Sequence, residues 1–84
     1  MAEIAYRTLV SALAYHRILA AYSVAALARA VGLTDHAIRR LERGGLAEPE
    51  TVDALARALA CTPDDLRAEL TQEQRAELEY QGTF

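Results

Sequence analysis

Apolar residues recur along this chain at helical spacing. Val10, Leu13, Ala14, Arg17 and Ile18 fall at i, i+3, i+4, i+7 and i+8, one face of a helix. The stripe predicts a first helix from about Ala5 to Ala20, with one of its positions an arginine. Ser23 is a good N-cap for a second, short helix that turns Val24, Leu27, Ala28 and Val31 to one side. Gly32 stops it, as glycine does just past a helix C-terminus. Thr34 caps a third helix that points Ile38 and Leu41 inward, and Gly44-Gly45 ends that one. Pro49 suits a first helical position, and Val52, Leu55, Ala56 and Leu59 give the fourth helix its apolar face. Thr62-Pro63-Asp64-Asp65 starts a fifth, with acids at the positive end of the helix dipole. Thr71 followed by Gln74 has the spacing of a capping box, for a last helix to about Tyr80.

Composition agrees with an all-α chain. In 84 residues there are 18 alanines and 12 leucines against two prolines and four glycines. The length fits a single domain spanning 1–84, with one core. One cysteine, Cys61, excludes an intramolecular disulfide and a cysteine-based zinc site. It fits a reducing cytoplasm and the role of a small buried hydrophobe. No apolar run reaches the roughly 18 residues of a membrane span, and no secretory signal pattern opens the chain. His16, placed on the outer side of the first helix, and His36 stand apart without cysteine partners, so no metal and no cofactor is expected. No Ser/His/Asp set, phosphate loop or carboxylate pair is visible, and no enzymatic activity is expected.

Charge changes the picture. All nine basic residues are arginine, and the net charge is −3. Residues 1–47 hold six arginines and three acids, net +3; residues 48–84 hold three arginines and nine acids, net −6. The basic part ends just after the second and third helices, whose tight glycine turn suggests a helix-turn-helix. Arg17 on an apolar stripe and Glu42 beside Ile38 and Leu41 are half-buried charges that need partners, which predicts a structural ion pair between them.

The stretch YSVAALARAVGLTDHAIRRLERG, from Tyr22 to Gly44, carries Leu27-Ala28, Gly32, Ile38 and Leu41-Glu42-x-Gly44. With ETVDALARALACTPDDL after it, this resembles the phage-repressor type of helix-turn-helix domain (lambda/Cro/434-like, the XRE family), over about 50 residues from Arg17 to Leu66. The resemblance implies a five- or six-helix bundle with its helix-turn-helix core at 5–66 and helices 2 and 3 at about 24–43. It implies an arginine–glutamate pair at the positions of Arg17 and Glu42. It also implies that the third helix enters the major groove of double-stranded DNA. Carried over by position, Asp35, His36 and Arg40 face the bases, Arg39 and Arg43 lie near phosphates, and Ser23 and Thr34 open helices whose N–H groups can hold phosphates.

Two positions depart from the family. Val24 stands where a phosphate-binding glutamine is usual. Asp35 repels phosphate unless it accepts from a cytosine; it serves equally as a first-turn acid on the helix dipole. Over residues 63–84, which include the acidic C-terminal helix at 67–84, the apolar Leu66, Leu70, Leu78, Tyr80 and Phe84 are expected to join two copies, since members commonly dimerise there. The implied function is a sequence-specific transcriptional regulator, a repressor, acting as a homodimer on an inverted repeat. The alternative is a protein-binding helix-turn-helix, such as a toxin-neutralising antitoxin using its acidic C-terminal part, or a partner protein like the MerR-like chaperone modulators, which LERGGLAEPE resembles.

Overall fold

The computed structural model describes residues 6–80. Among these lie six helices and one two-stranded ribbon: β1 (Thr8–Leu9), α1 (Leu13–Leu19), α2 (Val24–Val31), α3 (Asp35–Glu42), β2 (Leu46–Ala47), α4 (Pro49–Ala58), α5 (Pro63–Arg67) and α6 (Gln72–Tyr80). The fold is mostly helical, as the spacing predicts, but it is not purely α. β1 and β2 pair antiparallel, with Thr8 opposite Ala47 and Leu9 opposite Leu46.

That ribbon corrects the first helix. The helix expected from about Ala5 begins only at Leu13. Residues 8–9 are strand, and Ser11 and Ala12 turn. The turn is fixed by two backbone bonds: the Leu13 N–H donates to the Val10 carbonyl at 2.9 Å, and the Ala12 N–H to the distant Leu66 carbonyl at 3.0 Å. An N–H committed to another element marks where the helical ladder starts.

The other helices begin where their caps predict. Ser23 Oγ accepts from the Ala26 N–H and Thr34 Oγ1 from the Ala37 N–H, each at 3.0 Å. Thr62 with Asp65 and Thr71 with Gln74 close reciprocal boxes, side chain to backbone in both directions. Val10, Leu13, Leu27, Ile38, Val52, Leu55 and Leu66 form the buried core. α2 packs on α3 and α4, α4 on α5, and α1 on α3 and α5. The half-buried Cys61 leans against this core.

Candidate nucleic-acid interface

The turn between α2 and α3 is three residues long. Gly32 is left-handed (φ +74°), and the Leu33 N–H donates back to the Ala28 carbonyl at 2.8 Å. Thr34 then caps α3. So tight a link fixes the angle between the two helices. Ile38 and Leu41 anchor α3 from below, 0% and 4% exposed.

The opposite side of α3 is open. Asp35, His36, Arg39, Arg40 and Arg43 are all exposed. Residues 36, 40 and 43 are spaced i, i+4 and i+7, and 35 and 39 are one turn apart, so the five share one broad face. It carries three arginines and one acid. Arg29, in the last turn of α2, is exposed as well.

Behind this face sits the buried pair. Arg17 Nε donates to Glu42 Oε2 at 2.6 Å and Nη2 to Glu42 Oε1 at 3.2 Å, a two-pronged contact. The remaining prong, Nη1, donates to the Tyr22 carbonyl at 3.0 Å. Arg17 is 8% exposed. One guanidinium thus ties α1, the approach to α2 and the end of α3.

Gly44 and Gly45 do more than stop α3. Gly44 is left-handed at φ +106°. The Gly45 N–H donates to the Arg40 carbonyl at 2.9 Å. A Cβ on Gly45 would meet that oxygen at 2.8 Å and Arg40 Nη1 at 2.9 Å. Arg40 therefore lies folded over the glycine turn, along one wall of a cleft of about 280 Å³ that Arg7, Leu46, Glu48 and Thr51 also line. Arg7 enters this surface from the strand side, where a helix was expected; no local pattern in the sequence announces it.

The residues expected to join two copies are not brought together on one open face. Leu66 and Leu78 are 0% and 1% exposed, enclosed by their own chain. Leu70 is half-buried and borders a second cleft of about 390 Å³ with Leu9, Leu41, Arg43 and Arg75. Tyr80 is 91% exposed, and Phe84 lies outside the described residues.

Burial, and then the Asp65 carboxylate, push the Cys61 thiol above its ordinary value. Among the described residues no three His, Cys, Asp or Glu side chains gather as a metal site, and no helix is long and apolar enough to cross a membrane.

A family model described as a helix-turn-helix domain matches residues 8–70. No curated protein and no solved structure matches the chain.

Proposed function

The chain belongs to the family of helix-turn-helix domains, and from that membership we propose that it is a non-catalytic transcriptional regulator that binds duplex DNA with α3 in the major groove. One observation carries the reading: an exposed, arginine-rich face on a helix whose other face is locked into the core. Arg40 and His36 face base edges, Arg40 gripping guanine O6 and N7 once it swings from the glycine turn. Asp35 accepts from a cytosine amino group or stays a dipole acid. Arg39 and Arg43 neutralise phosphates, and the starts of α2 and α3, at Ser23 and Thr34, offer N–H groups to the backbone.

The finer reading is the phage-repressor type, supported by the Arg17–Glu42 pair and by the Leu27-Ala28, Gly32 and Leu41-Glu42-x-Gly44 positions. On it the chain is a single cytoplasmic domain, acts as a repressor, and binds an inverted repeat as a homodimer. Two recognition helices then lie one DNA turn apart. With Leu66 and Leu78 used inside the protomer, the dimer contact falls to Leu70, Tyr80 and Phe84.

Fluorescence anisotropy on a random-sequence duplex library at two salt concentrations, with sequencing of the bound fraction, tests the whole reading. The expected result is salt-sensitive binding that enriches an inverted repeat. Absence of binding near ~50 mM salt, where phosphate contacts are strongest, overturns it.

A further inference from the structure

Arg7 lies outside the helix-turn-helix, just before β1. The strand pairing carries it to α3: continuing the register of Thr8 opposite Ala47 sets Arg7 opposite Glu48. Arg7 and Arg40 then line the same cleft from two sides. Among the described residues Arg7 has one charged partner, Glu48, with Nη2 to Oε2 at 3.9 Å; the two side chains are 65% and 57% exposed. An exposed pair at that distance is weak and screened by salt. The guanidinium is therefore held beside the recognition helix but left available to a stronger anion.

We propose that Arg7 is a DNA-backbone contact: the β1–β2 ribbon presents it to a phosphate flanking the groove that α3 occupies, and Glu48 is its placeholder in the absence of DNA. The inference rests on the DNA-binding reading above. Chemically, a phosphodiester offers two anionic oxygens to a planar fork of N–H donors, which a single exposed carboxylate 3.9 Å away holds only loosely. The contact carries no sequence information, so its loss affects all duplexes alike.

The test is a salt titration of duplex binding by anisotropy, using both an enriched duplex and an unrelated one. Arg7→Ala removes one phosphate contact. The slope of log affinity against log salt should fall by about 0.9, and affinity at 0.1 M salt by about eightfold, for both duplexes. Arg57→Ala, an exposed change of equal charge in the last turn of α4, should leave the slope unchanged. Glu48→Gln should tighten binding, and that gain should shrink in the Arg7→Ala background, whose urea midpoint should match that of the unmodified chain. Unaltered slope and affinity in Arg7→Ala, or a Glu48→Gln gain of the same size without Arg7, overturns the inference while DNA binding itself stands. Absence of salt-dependent binding by the unmodified chain removes both.

Discussion

At the scale of single residues, Arg17 and Glu42 set the cost of error. All three prongs of Arg17 are occupied, and the two side chains are 10% and 13% exposed. Removing one partner strands the other charge in a place water barely reaches. Glu42→Ala is expected to lower unfolding stability by about 3 kcal/mol, at the low end for a broken buried pair because some water remains. The double change Arg17→Met with Glu42→Leu should cost clearly less, since no charge is then left unpaired. Urea denaturation of the three variants decides it; a Glu42→Ala loss below that of the double change would mean the pair does not behave as a buried one. This pairing is legible in the sequence because a charge on an apolar stripe announces its need for a partner. Arg7 is not, because an exposed arginine looks the same on a helix, a strand or a loop.

At the scale of elements, what can be read is what is local. The caps at Ser23, Thr34, Thr62 and Thr71 lie within three residues of the N–H groups they satisfy, and their helices start there. Helix ends are legible only in part. Four helices close with the same backbone bond, from an N–H back to the carbonyl five residues earlier in the last turn: Tyr22 to Arg17, Leu33 to Ala28, Gly45 to Arg40, and Cys61 to Ala56. The left-handed residue in that closure is glycine at 32 and 44 but alanine at 21 and 60, with φ of +60° and +55°. Alanine pays roughly 1–2 kcal/mol for that conformation, and nothing in its identity signals it. β1 is hidden for another reason: its partner strand lies far along the chain, at Leu46–Ala47. A two-residue ladder is too short to show alternation, so nothing local stops the helix predicted by the stripe from Val10 being extended back over it.

The start of α5 also makes a pH prediction. The Thr62 backbone N–H and side chain hold the Asp65 carboxylate below its ordinary value. A depressed folded value means that the charged form stabilises the fold. Its contribution is complete above the ordinary aspartate range, near pH 4, and is lost as pH falls through the lower folded value. The difference in urea midpoint between the unmodified chain and Asp65→Ala should be constant from pH 7 to about 5 and narrow below about 4. A difference that grows on acidification would contradict the assignment.

For the whole molecule, the division of charge matters more than its sum. The chain is acidic overall, yet the acids concentrate after residue 47 and the arginines of α3 stand clear of them in sequence. A net negative chain can still present a local positive face, at the price of slower, less strongly steered encounter with DNA. The proposed dimer places its contact in the acidic part, through Leu70, Tyr80 and Phe84. Light scattering should give twice the 9.2 kDa chain mass at high micromolar concentration, and Tyr80→Ser should shift the equilibrium toward monomer. A monomer under those conditions without DNA counts against the dimer. The sequence marks these residues as apolar, but burial depends on what folds over them. Leu66 and Leu78 are equally apolar, and both are enclosed within the protomer.

The grip of Arg17 on three segments has a consequence for the thermodynamics of recognition. Because α1, the entry to α2 and the end of α3 share one guanidinium, α3, the proposed recognition helix, is set in place when the chain folds, not when a ligand arrives. Little backbone order remains to be created on binding. The heat-capacity change should then reflect only the surface covered at the contact, without the large negative contribution of coupled folding. Discrimination between operators would come from complementarity to a rigid surface, and a poor site would be released quickly rather than accommodated.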